Sequence, residues 1–196
     1  MESTLASHGR HPDFTRGHPL TRAALSFAEE RHAGQRREAD NAPFVIHPIE
    51  VATLLHEAGY PDHVIAAGAL HDVIEDTDTE SAEISQRFGP KVAQLVTALT
   101  ENPAIEDDAE RKAALRSQVA RTGGDAAAVF AADKISKVRE LRLQGERRRF
   151  DRATHAKLDH YDASLEMLAD LMSDHQFVER LRRELEALHK MPPGSA

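Results

Sequence analysis

Apolar residues recur at spacings of three and four along most of the chain, a period that predicts helices rather than strands. The runs so marked are Thr21–Ala33, Pro48–Ala58, His63–Asp76, Glu80–Phe88, Lys91–Glu101, Asp108–Ala120, Ala126–Leu143, Thr154–Met172 and Asp174–His189. Strand-like alternation never extends beyond four residues. Punctuation agrees with these cuts: Thr77 with Glu80 fits a capping box, Gly59, Gly89 and the pair Gly123-Gly124 fall between runs, and Ser173-Asp174 restarts the last one. Residues 1–20 and the tail 191–196 lack the period and are predicted to be loose, leaving one domain over 21–190. No internal repeat, long heptad series or low-complexity tract is present, so the pattern predicts an all-α, compact multi-helix fold.

The pattern is broken where charge enters an apolar face. Val64–Leu70 is apolar or small and predicts a core helix, yet it runs into His71, Asp72, Glu75 and Asp76. In a continuous helix those offsets confine all four side chains to about 140° of the circumference. Carboxylates on such a wall are costly unless a cation offsets them. Asp133 is a second anomaly, following AAAVFAA in a run whose inward positions are Val129, Ile135 and Val138. His47 is a third; it precedes Pro48, and proline's fit to a first helical turn predicts that the imidazole stands just outside the helix. Each is weak alone. The chain has 12 histidines, and His-Pro occurs three times, at His11, His18 and His47. Together, three helices can aim two imidazoles and two carboxylates at one point, a nitrogen and oxygen set suited to Mn²⁺, Fe²⁺ or Zn²⁺.

Composition narrows the chemistry. The 196 residues include no cysteine, which excludes disulfides, thiolate metal sites and cysteine nucleophiles and fits a cytoplasmic protein. The N-terminal residues lack a secretory pattern, and no apolar stretch is long enough to span a bilayer. A formal charge of −8 argues against a nucleic-acid partner, while leaving room for a small anionic substrate held by local basic residues. Homo-oligomer formation is left open.

From about His32 to Leu141 the chain resembles the HD hydrolase domain of RelA/SpoT-type proteins and their stand-alone relatives, the small alarmone hydrolases. The matching stretches are HAGQRR, PFVIHPIEVA, ALHDVIEDT, RFGPKV, ERK and ADKISKVR, in that order. The resemblance implies an all-helical fold, one Mn²⁺ ion held by His47, His71, Asp72 and Asp133, and removal of the 3′-pyrophosphate from guanosine tetra- and pentaphosphate. It assigns Glu75 and Asp76 as the catalytic acidic pair and points to the hydrolase-only kind. A divalent metal activates water and polarises a phosphoryl oxygen, and Glu75, one turn beyond His71, is placed to orient that water or carry a proton.

Phosphate charge calls for cations. The candidates for substrate binding are Arg36, Arg37, Lys134, Lys137 and Arg139, with Arg111 and Lys112 beside them, and Lys157 and Tyr161 four apart to flank a nucleoside, although Tyr161 equally reads as a core residue. The cluster Arg147–Arg149 reads as a solvated loop. Departures from the family pattern bear on the substrate: Lys137 stands where asparagine is usual and Phe44 where tyrosine is common. Adenosine alarmones, the 2′-phosphate of NADPH and nucleoside monophosphates therefore stay open as substrates, as does a catalytically silent module that only binds a nucleotide.

Overall fold

The computed structural model describes residues 11–145 and 152–191, which form helices joined by short turns and a single isolated bridge between Arg36 and Pro43. A 3-10 turn at Asp13–Gly17 precedes α1 (Pro19–Arg31), α2 (Ile46–Glu57), α3 (Asp62–Leu70), α4 (Val73–Asp76), α5 (Ser81–Phe88), α6 (Pro90–Leu99), α7 (Asp108–Thr122), α8 (Gly124–Gly145), α9 (Arg152–Met172) and α10 (Gln176–His189). None of these is long and apolar enough to cross a membrane.

Helix α3 is the centre of the fold, since every residue from Val64 to Leu70 is buried and α1, α2, α6 and α8 surround it. Gly68 permits the close approach of α2: a Cβ there would lie 2.4 Å from Leu55 Cδ1 and 3.2 Å from Val51 Cγ1. Helix α8 is buried on nearly its whole circumference from Ala126 to Ser136, where small alanines let neighbouring backbones come close. The α10 face of Phe177, Val178, Leu181, Leu185 and Leu188 packs on α8 and α9.

Several sequence expectations are corrected. The run His63–Asp76 is not one helix; α3 ends at Leu70 and α4 begins at Val73. The His71 ring donates from Nδ1 to the Gly68 carbonyl at 2.7 Å, occupying the acceptor that a continuing helix would offer to residue 72. The Thr77/Glu80 capping box does not form, because Thr77 Oγ1 bonds the Val73 carbonyl and Thr79 while Glu80 makes no side-chain cap. His47 lies inside α2, not ahead of it, and Pro48 is accommodated because first-turn amides have no intrahelical partner. The last helix is capped by His175, whose Nδ1 accepts from the Phe177 amide. Residues 11–20, expected to be loose, are tied down: Phe14 stacks on His56 at 4.3 Å, Thr15 is buried, and the Asp62 carboxylate accepts the Leu20 and Thr21 amides at 3.0 and 2.9 Å. Residues 1–10, the tail from 192 and the cluster Arg147–Arg149 lie outside the described residues.

Candidate functional site

Three parts of the fold meet at one buried point. The first turn of α2 brings His47, the break between α3 and α4 brings His71 and Asp72, and the middle of α8 brings Asp133; all four are at most 5% exposed. One ligand atom each from His47, His71 and Asp133 lies within 4.8 Å of the other two. Asp72 reaches both rings, with its oxygens 3.3 Å from His47 Nε2 and 3.1 Å from His71 Nε2. Asp133 Oδ1 lies 3.2 and 3.4 Å from the same two nitrogens.

The hydrogen bonds behind the rings fix which nitrogens face this point. Ser136 donates to Glu50 at 2.8 Å, so its oxygen accepts from His47 Nδ1, also at 2.8 Å. His71 Nδ1 donates to Gly68. In the neutral rings both protons are therefore at Nδ1, and two bare Nε2 lone pairs face each other at 3.1 Å. Beside them Asp72 Oδ2 and Asp133 Oδ1 are sealed from solvent with no hydrogen-bond partner. Two lone pairs and two orphaned carboxylate oxygens converging in a dry site form an arrangement that only a cation satisfies, and the donor set fits a divalent metal. Without one, protons take its place. Burial alone would push His71 down, but Asp72 and Asp133 outweigh it and raise the ring to about 10. Both carboxyls are held well below their usual range against burial, Asp72 by His71 and Lys137 and Asp133 by Lys134 and Lys137.

Two lysines on α8 border this centre. Lys134 Nζ bonds Asp133 Oδ2 at 2.7 Å and lies 4.5 Å from the centre of the Phe130 ring. Lys137 Nζ stands 3.5 Å from both Asp72 Oδ1 and Asp133 Oδ1. Glu75 and Asp76 sit on the open side and are exposed. The Glu75 carboxylate accepts the Glu101 amide. Desolvation against the wall raises both acids above their ordinary values, and the negative charge of Asp72 adds to it.

The lysines also line a cavity of about 320 Å³. Arg36, Arg37, Lys112, Lys134, Lys137 and Lys157 give it six basic side chains against three acids, Glu38, Glu101 and Glu140, with Phe44, Leu141 and Tyr161 as apolar lining. Arg37 forks onto Asp40, and Lys157 pairs with Glu38 at 3.0 Å. Tyr161 is both buried and part of the lining. Arg139 is a correction: it does not line the cavity, because Glu50 and Glu184 hold its guanidinium at 2.8 and 2.7 Å. Arg111 is likewise engaged by Glu101, Asp108 and the carbonyls of Ile105 and Glu106. A larger groove of about 520 Å³ beside α5 and α6 has no titratable lining residue.

Sequence reasoning passed over Glu50, Ser136, His160 and Arg116. The first two carried a signal, since each lies three residues past a metal candidate on the same helix, His47 and Asp133, and so shares its face. His160 and Arg116, which meet at 2.6 Å across 44 residues, had none.

Comparison with known proteins places this geometry. A family model described as the HD domain matches residues 24–159. A guanosine-3′,5′-bis(diphosphate) 3′-pyrophosphohydrolase of Aquifex aeolicus is 36% identical over 151 residues, 76% of this chain but 21% of that protein, so the chain spans about a fifth of its length. The human protein MESH1, which carries the same enzyme name, is 39% identical over 121 residues, covering 60% of this chain and 67% of its own. The structure of a metazoan SpoT ortholog described as hydrolyzing ppGpp superposes with a TM-score of 0.75 at 25% identity, over 86% of this chain and 94% of that one. A Listeria monocytogenes protein superposes with a TM-score of 0.64 at 32% identity, over 74% and 99% of the two chains. With a match over most of its described length and its charged residues gathered where three helices meet, the chain belongs to the HD-domain family.

Proposed function

We propose that this chain is a metal-dependent phosphohydrolase that removes the 3′-pyrophosphate from guanosine alarmones. One observation carries the reading: Lys134 and Lys137, which contact the carboxylates of the dry His-Asp centre, also form the wall of the basic 320 Å³ cavity. A phosphorylated nucleotide in that cavity has its charge met at the edge of the metal centre. Relatives named for this reaction, of which MESH1 is covered over 67% of its length, support the same choice.

His47, His71, Asp72 and Asp133 would hold the metal. Mn²⁺ suits a mixed imidazole and carboxylate set, and a bound divalent metal supplies Lewis-acid polarisation of a phosphoryl oxygen and activation of water. The rest falls to the chain. Glu75, its carboxyl raised by burial and by the charge of Asp72, is the base that takes a proton from the attacking water; Asp76, beside it and raised by the same causes, orients the same water. Arg36, Arg37, Lys134 and Lys157 bind phosphate oxygens and so position the phosphorus for in-line attack. Tyr161 and Phe44 offer the apolar surface for the nucleoside. We place the reaction in the cytoplasm, in keeping with a nucleotide substrate and a chain free of cysteine.

Lys137 supports a second reading. Its ammonium faces the two carboxylates, where the family pattern has a neutral asparagine, so recognition of the base is less constrained than hydrolysis. The test is product analysis with Mn²⁺ across guanosine and adenosine alarmones, NADPH and nucleoside monophosphates. Pyrophosphate release from the guanosine substrates is expected. Orthophosphate from NADPH or a monophosphate, with no pyrophosphate from either alarmone, would transfer the assignment to that substrate.

A further inference from the structure

His160 lines the cavity although only 7% of its surface is exposed. Its Nδ1 lies 2.6 Å from Arg116 Nη1. A guanidinium has donors only, so Nδ1 must accept and the ring's proton is at Nε2. Among the described residues Nε2 has no protein partner, yet it is not one of the sealed, unsatisfied atoms of the interior. His160 is part of the cavity lining, so this N–H is free to serve an acceptor held there. The ring stays neutral there: burial pushes it down to about 2, and Lys134, Arg116 and Lys112 push the same way. Arg116 has no carboxylate partner among the described residues; the imidazole is its sole hydrogen-bond acceptor. This corner thus joins a neutral donor to three cations that approach it from α7 and α8.

We infer that His160, held in register by Arg116, donates its Nε2–H to an oxygen of the distal phosphoryl of the substrate's pyrophosphate and so selects pyrophosphorylated over monophosphorylated nucleotides. This rests on the hydrolase reading above and adds a residue to it. Two features favour a phosphoryl oxygen over a nucleobase. The cations nearest His160 include Lys134, which borders the metal centre where the phosphate must lie, and the Tyr161 ring, 5.5 Å from that of His160, gives a base an apolar surface beside it without needing the Nε2–H. A neutral donor among ammonium groups also adds a directional bond that lysines, as rotating point charges, do not supply.

The experiment compares wild type with His160→Leu, His160→Gln and Arg116→Met, each checked by thermal melting with bound metal. Steady-state rates are measured on a nucleotide bearing a 3′-pyrophosphate and on its 3′-monophosphate counterpart. Loss of one hydrogen bond to a charged group predicts a roughly ten- to hundredfold fall in kcat/KM for His160→Leu on the first substrate, with a much smaller loss on the second. His160→Gln, whose amide nitrogen reaches the place of Nε2, recovers most of it, and Arg116→Met falls between. Binding of inorganic pyrophosphate, followed by titration calorimetry, weakens in the same order. Equal losses on both substrates, a change in base preference alone, or unaltered pyrophosphate binding in folded His160→Leu would overturn the inference. Absence of turnover by wild type would instead count against the hydrolase reading, and the pyrophosphate titration would still decide the role of His160.

Discussion

The candidate metal centre and the cavity beside it are built from the same kinds of residue under opposite rules. In the centre, His47, His71, Asp72 and Asp133 are nearly sealed, Ser136, Gly68, Lys134 and Lys137 hold polar atoms at its edge, and Asp72 Oδ2 and Asp133 Oδ1 face inward with no hydrogen-bond partner. On the open side of the centre Glu75 and Asp76 are exposed, as are Arg36 and Glu38 on the cavity wall. A charge in the first region must be paired or it destabilises the fold; an exposed charge in the second, such as Arg36 or Glu38, is solvated and costs little to hold, while Lys134, buried where the two regions meet, follows the first rule. If the centre holds the proposed metal, stability, metal affinity and turnover are coupled there, whereas the exposed wall residues can change and leave the fold untouched.

The largest expected effect comes from Asp133→Ala. It removes a carboxylate shared by both imidazoles and leaves Lys134 buried without its partner, a defect of about 3–5 kcal/mol in the folded state. Turnover should fall on the order of a thousandfold or more, since several kcal/mol of metal-supplied stabilisation go with the ligand. Metal titration, melting and rates read this together, and near-normal rates would remove Asp133 from the centre. Metal removal probes the same coupling. A ring raised from 6.5 to about 10 contributes stability that is fully present below 6.5 and lost as pH rises through 10. Metal-stripped protein should thus melt earlier as pH climbs from 7 to 10, while the metal-loaded form, needing no proton there, stays level. Parallel curves would contradict the idea that proton and metal compete for one place.

Glu75→Gln separates the regions more cleanly. The residue is on the open side, so metal binding and melting should hold while turnover drops roughly 10²- to 10⁴-fold, the usual worth of a general base. Its value is raised above the 4.5 of an ordinary glutamate, so wild-type activity should decline on the acid side as pH falls through that raised value, and the decline should vanish in the glutamine variant. Ser136→Ala tests the shell behind the centre instead. The Glu50–Ser136–His47 chain fixes the His47 tautomer, and its loss should weaken metal binding by roughly 10- to 100-fold. Unchanged affinity would make that chain a packing detail.

The same contrast governs what the sequence revealed. His71, Asp72 and Asp133 are conspicuous because each interrupts an apolar run, and only burial makes a charge look out of place. The end of α3 at Leu70 left no such mark: it follows from the His71 ring taking the Gly68 carbonyl, a side-chain bond that periodicity does not encode. Asp62 capping α1 from some forty residues away, and Arg139 turning from the cavity to Glu50 and Glu184, are equally products of tertiary proximity. On the wall, a basic residue that binds substrate and one that merely faces water look the same in sequence. Lys134 and Arg139 both read in sequence as phosphate-binding cations, yet only Lys134 lines the cavity, and His160 gains its meaning only from Arg116 on another helix.

Lys157→Ala is the mildest way to sharpen the comparison. Its ion pair with Glu38 is exposed, at 43% and 73% for the two side chains, so removing it should change stability by no more than about 0.5 kcal/mol. What it loses is one solvated charge facing the cavity. If the wall binds substrate and the centre carries out the chemistry, KM should rise by roughly three- to tenfold with kcat nearly constant, because a contact made equally in ground and transition states is uniform binding. The rise should shrink as salt is added, since an exposed cation acts through a screened field. A fall in kcat of the same size as the change in KM would mean that Lys157 acts in the transition state, and the boundary between wall and centre would then have to be redrawn to include α9.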